Sequence, residues 1–214
     1  MSIIFKVILI FHIIGGTIGL LTGILNILRK KGDKNHKLVG KVFFTSMMTA
    51  GVSSLILASI HTNYFLFMVG VFTLYMVGSG QLYLKHNASP ISNRIGLTIT
   101  TLMLIAGVLF IGFGVLVLIK TKLFGLVFIT FGGVGLLFVR QDFINHKVQS
   151  AIKNYWLIAH LQRMTGGFIA SMTAFLVIIA KYFPQQIPGF VYWLLPTFIF
   201  TPLIINWSRK YEAK

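Results

Sequence analysis

The stretch 155–180, YWLIAHLQRMTGGFIASMTAFLVIIA, is long and apolar enough to cross a bilayer, yet it carries His160, Gln162 and Arg163 near its start. An arginine at the centre of a membrane helix costs about 2.5–3.5 kcal/mol on insertion scales. At helical spacing His160, Arg163 and Gly167 share one side with Ala170, Ser171 and Ala174. A polar pair therefore sits above a strip of small residues, which lets another helix approach closely. That face is expected to turn into the protein, away from lipid.

The rest of the composition agrees. Of 214 residues, 56% are hydrophobic and 10% charged, and mean hydropathy is +0.87. Soluble domains carry about a quarter charged residues. Six further segments pass as spans, giving 3–28, 39–60, 64–84, 95–119, 123–139, 155–181 and 189–207. The fold class is thus all-α, a single transmembrane domain over 1–214 made of seven helices. The first segment differs from a signal peptide: it has no A-x-A-like site, it is too long, and its basic cluster follows it.

The net charge of +16 does not point to nucleic acid. Arg29, Lys30, Lys31, Lys34, Lys37 and Lys41 follow the first span, and most other basic residues fall in loops on the same side. The positive-inside rule puts these loops in the cytoplasm, with the N-terminus outside and the C-terminus inside. The expected partners are the bilayer and anionic lipids at its inner face. Cysteine is absent, which excludes disulfides, thiolate metal sites and a cysteine nucleophile. Pro90, Pro184, Gln185 and Pro188 mark turns, and Pro196 and Pro202 predict kinks in the last span.

One face of the first span reads His12, Gly15, Gly19, Gly23, Asn26. It is either a close-packing seam or a smooth groove for a flat cofactor beside a histidine ligand. Tyr75, Gly78, Ser79, Gln81 and Tyr83 make the inner end of the third span polar. Thr98, Thr100 and Thr101 open the fourth, where threonines commonly satisfy their own backbone.

Acids are scarce: Asp33, Asp142 and Glu212. Asp142 follows the fifth span in the string RQDF, and Arg163 lies about 12 Å along the sixth from the same side. An Asp142–Arg163 ion pair is expected, as a strut between helices or as a charged site for an anionic substrate or a haem propionate. A paired-carboxylate mechanism is excluded, and no soluble-enzyme motif occurs. Histidine is the remaining chemical resource. His12 lies about 13 Å from the outer end and His160 about 7 Å from the inner end, too far apart in depth to share one haem. Within a layer, His160 can pair with His36, and His12 with His61, as in a two-layer b-type cytochrome.

Three strings together carry a resemblance: FHIIGGTIGLLTGILNILRKKGDKNHKLVGKVF at 11–43, LYMVGSGQLYL at 74–84, and RQDFINHKVQSAIKNYWLIAHLQRMTGGFIASMTAFLV at 140–177. They resemble the bacterial polytopic membrane proteins of domain of unknown function 2306. That family has a histidine in the first span, a His-x-x-x-Gly-basic string opening the second, and a His-x-x-Arg-Met helix followed by small residues. The corresponding positions are His12; His36, Gly40 and Lys41; and His160, Arg163 and Met164. Asn145, His146 and Lys147 replace a more basic segment. The resemblance implies a seven-helix protein of the bacterial inner membrane.

Three functions stay open on the residues. The first is binding or transport of a small anionic ligand through a polar cavity open to the cytoplasm, floored by His160, Arg163, Asp142 and Gln81, with His36 at its mouth. The second is a membrane redox protein holding haem b on His12, His160, His36 or His61. The third is a structural or assembly protein, with Gly15, Gly19, Gly23, Gly167, Ala170 and Ala174 as packing positions.

Overall fold

A long apolar run has one open-chain solution inside a bilayer, because each backbone N–H and C=O must be satisfied within its own segment. The computed structural model describes residues 3–120, 123–147, 154–183 and 186–212. It contains seven α-helices: α1 Ile3–Leu28, α2 Lys34–Ile60, α3 Tyr64–His86, α4 Arg94–Ile119, α5 Gly125–Lys147, α6 Tyr155–Ile179 and α7 Gly189–Glu212. Among the described residues there is no strand. All seven are long and apolar enough to span a membrane. Large apolar side chains such as Phe11, Leu109, Leu116 and Phe198 cover the outer surface. This is a multi-pass membrane protein.

Polar side chains set the helix starts. Asp33 accepts from the His36 amide at 2.6 Å, Asn63 from Leu66 at 3.0 Å and Asn93 from Gly96 at 2.9 Å. Asn87, with a φ of 50°, ends α3 in the left-handed conformation. Three boundaries differ from the sequence expectation by five residues or more, among them the end of α7, which runs past 207 to Glu212. The Asp33 cap starts α2 at Lys34, ahead of residue 39. Helix α5 runs eight residues beyond 139 to Lys147, so Asp142 lies within the helix and is buried there. Pro196 and Pro202 sit inside a continuous α7, and Pro90 opens a short 3-10 turn. Pro184 and Gln185 lie outside the described residues.

Helix α3 is the hub. In its most apolar 18-residue stretch 61% of residues are buried, against 11% in the peripheral α7. Helices α2, α4, α5 and α6 all pack on it. Glycines set the closest approaches. A Cβ on Gly15 would lie 3.1 Å from the Ser46 carbonyl oxygen, while Gly19 is covered by Met47 and Gly23 by Phe168 and Phe43. The glycine face of α1 is therefore a packing seam, and no slot for a flat ring remains along it. Gly167 and Ala170 bring α6 against Val77 and Met76 of α3, and Ala174 packs on the Phe65–Phe128 cluster. A second seam joins α4 to α5, where a Cβ on Gly114 would lie 2.7 Å from the Gly125 carbonyl oxygen.

At one end of the bundle, the turn after α1 and the start of α6 meet the C-terminal part of α7, and the start of α6 also meets the end of α3. Lys31 donates to the Asn26 and Ile27 carbonyls at 2.7 and 2.8 Å, closing the end of α1, and lies 4.1 Å from the Trp207 ring centroid. Partial burial there lowers the Lys31 pKa from its ordinary value. Tyr155 donates to the Asn87 carbonyl and Asn154 to the Tyr211 carbonyl. The loop clusters of Lys and Arg gather at this basic end.

Candidate functional site

The site sits about 12 Å below the basic end, measured along α6 from Tyr155 to Arg163. Gly80 of α3 makes it possible: a Cβ there would lie 3.0 Å from the Arg163 Cβ. With the two helices this close, the Arg163 side chain reaches past α3 toward α5 and forms an ion pair with Asp142. Both side chains are 0% exposed, so bulk water reaches neither charge. The guanidinium also donates to the Phe138 carbonyl at 3.0 Å and to Gln141 Oε1 at 3.3 Å. The ring centroids of Tyr83 and Phe138 lie 4.8 and 4.9 Å from its central carbon. Arg163 Nε is buried with no partner.

Asp142 is held by more than the arginine. Tyr83 donates to Oδ1 at 2.9 Å; Tyr75 and Thr100 donate to Oδ2 at 2.7 and 3.2 Å. With Arg163 on Oδ1, each oxygen receives two donors, the full complement of a carboxylate. Ser89 donates to the Asp142 backbone carbonyl at 2.7 Å, and Asn145 donates to the Tyr83 hydroxyl at 2.8 Å. From Gln141 a further chain leads out through Gln162, at 3.2 Å, to Ser208 of α7, at 3.3 Å. Helices α3 to α7 all contribute side chains to this one network.

A hydrogen bond to a charged group is worth about 1.5–3 kcal/mol. Tyr75→Phe is therefore expected to lower stability by about that amount, measured as unfolding in detergent micelles. The Tyr192 hydroxyl is buried without a partner, so Tyr192→Phe is expected to be neutral or stabilising in the same assay.

The residues expected to share a polar cavity do not form one. Arg163 and Asp142 meet as anticipated, but they are packed shut. Gln81 is half-buried and makes no hydrogen bond to the centre; Gln141 and Gln162 occupy the place expected of it. His160 is half-buried one turn away and donates from Nδ1 to the Gly80 carbonyl at 2.8 Å. A carbonyl only accepts, so Nδ1 carries the proton and Nε2 the lone pair. His36 lies half-buried in the first turn of α2, within electrostatic reach of His160. Two grooves among the described residues are apolar and face outward. One of about 460 Å³ lies between α1 and α2, and one of about 370 Å³ lies on α7 beside Pro202.

The histidines toward the other end of the bundle, His12 and His61, are placed apart. His12 donates from Nδ1 to the Ala50 carbonyl at 3.0 Å, with Ser53 Oγ at 3.2 Å. His61 is exposed and packs edge-to-face on Phe5 at 4.6 Å. Eight residues of α2 separate Ser53 from His61, about 12 Å of rise, so His12 and His61 are not arranged to grip one iron. Among the described residues no three metal-ligating side chains converge.

Taken singly in the sequence, Tyr75, Tyr83 and Thr100 are separate polar positions, and Ser89, Gln141 and Asn145 carry no signal. The available clue is the i, i+8 spacing of Tyr75 and Tyr83, which puts both hydroxyls on one face of α3 opposite the only membrane-embedded carboxylate. No family model, no curated protein and no solved structure matches the chain.

Proposed function

We propose that this protein binds a small anionic solute at the Asp142–Arg163 centre and passes it across the bilayer, with His160, His36 and Gln81 along the access route from the basic end. The observation that carries this reading is the complete burial of both charges. A hydrophobic pair would join α5 to α6 without the several kcal/mol per ion that desolvation costs, so a purely structural strut has no need of them. An ionisable pair held inside a membrane bundle belongs instead to a substrate or ion pathway. By the charge distribution and the resemblance to domain of unknown function 2306, the basic end faces the cytoplasm of a bacterium. In this reading the closed centre is the occluded state.

The test is anion flux in proteoliposomes, with formate, acetate, phosphate and chloride gradients applied in turn. Saturable flux of at least one anion is expected. It falls at least tenfold in Arg163→Gln protein that still elutes as a folded species. Absence of flux for every anion contradicts the reading.

A second reading has one observation in its favour. The Nδ1–H to carbonyl bond of His160 leaves Nε2 as a free ligand, which is how metal-binding histidines are oriented. Haem b at this level would be held by His160 and His36, and would supply one-electron redox chemistry. The glycine seam of α1 does not fit it. A Soret band in the purified protein, lost in His160→Ala, supports this reading; colourless, iron-free protein removes it.

A further inference from the structure

The four donors on Asp142 come from α3, α4 and α6: Tyr75 and Tyr83, Thr100, and Arg163. Helix α5 supplies the carboxylate, and also the Phe138 carbonyl and Gln141 that accept from Arg163 and the Asn145 amide that donates to Tyr83. If the Asp142 side chain swung out, a complete carboxylate cradle would remain on α3, α4 and α6. It would hold one cation, three hydroxyls and the still unpartnered, buried Nε–H of Arg163. Asp142, Gln141 and the Phe138 carbonyl make the hydrogen-bonded tie of α5 to Arg163 of α6, beside the apolar packing of Val127, Phe128 and Val139. The exposed Arg140 and Lys147 flank Asp142 along the same helix.

We propose that Asp142 is a tethered stand-in for the substrate, and that the cradle of Arg163, Tyr75, Tyr83 and Thr100 receives a small free monocarboxylate when Asp142 leaves it. This rests on the binding reading above and names its substrate class. The geometry selects a planar anion with two oxygens. Each oxygen takes two donors, Arg163 with Tyr83 on one and Tyr75 with Thr100 on the other. A spherical halide offers no such pair of acceptors. A neutral amide replaces one acceptor by a donor facing hydroxyls or a guanidinium. The guanidinium stays paired, since the incoming anion replaces the aspartate as its partner.

The test is chemical rescue. Asp142→Ala deletes the tethered carboxylate and leaves a space that formate fills, with the alanine methyl standing for the aspartate Cβ. The variant is prepared in formate and then exchanged into formate, formamide or chloride. The expected result is a thermal midpoint that rises with formate concentration and saturates, and that does not respond to formamide or to chloride at matched ionic strength. Asp142→Ala combined with Arg163→Ala is expected to show no formate response. An equal response to chloride, no response to formate, or failure to obtain Asp142→Ala from formate-containing buffer each overturns the proposal. The outcomes separate the two levels. Rescue without anion flux keeps the cradle and removes transport. Flux lost in Arg163→Gln without rescue keeps transport and removes the monocarboxylate class.

Discussion

Asp142→Asn is expected to destabilise the bundle by about 3–5 kcal/mol, because it strands a buried guanidinium without its counter-ion. For a chain of this size that lowers the thermal midpoint by on the order of 10 °C. Arg163→Gln is expected to cost less. The Asp142 carboxylate it leaves behind keeps three hydroxyl donors, from Tyr75, Tyr83 and Thr100, whereas the stranded Arg163 keeps only two neutral acceptors, the Phe138 carbonyl and Gln141. The double variant Asp142→Asn, Arg163→Gln is expected to be more stable than Asp142→Asn alone. Both amides are neutral, and the asparagine oxygen still accepts from the hydroxyls. A thermodynamic cycle over these four proteins in detergent micelles measures the coupling directly. Independent, additive losses would mean that the two charges do not act as a pair.

The second large effect is expected at Gly114. A Cβ there would meet the Gly125 carbonyl oxygen at 2.7 Å and the Ile129 amide nitrogen at 3.0 Å. Both are backbone atoms of α5, so neither can rotate away. Gly114→Val must push the α4–α5 pair apart along the seam that also includes Gly107 and Gly132. Overpacking of this kind costs about 1–3 kcal/mol and more when backbone must move. Gly112 lies two residues away on the outer face, where a Cβ would meet nothing within 4 Å. Gly112→Val is therefore the matched control, expected to leave the midpoint unchanged. Equal losses at the two positions would show that helix propensity, and not the seam, decides the outcome.

What is legible in the sequence follows from what a bilayer demands. Spans are legible because about twenty apolar residues in a row have few other fates, and the short loops between them support the count. The Asp142–Arg163 pair is legible by scarcity, since a membrane arginine needs a partner and one carboxylate is within reach. The small strip from Gly167 to Ala174 is legible by spacing. The centre's other donors are not, because Tyr75, Tyr83, Thr100 and Ser89 are ordinary residues singly and acquire a role only when α3, α4 and α5 are assembled. The sealing of Asp142 and Arg163 from water is not legible for a related reason. Helical spacing tells which polar groups share a face, whereas their packing depends on Gly80, which lets α3 close over α6 and seals the charges. The end of α5 differs from its expected position because polarity at RQDF reads as a loop, while in the bundle it is the inward face of a helix.

At the centre of the bundle, the Asp142 side chain is sealed from water and held by Arg163 and three hydroxyls. The chain offers a clean measurement of this, because its only aspartates are Asp33 and Asp142. With carbon-13 aspartate incorporated into an Asp33→Asn protein, the labelled side-chain signal in the infrared spectrum belongs to Asp142 alone. At neutral pH the expected result is an ionised carboxylate band that does not respond when the bulk water is exchanged on a timescale of minutes, and that changes in Arg163→Gln. A protonated carboxyl band, or a carboxylate band that shifts at once with the solvent, would contradict it.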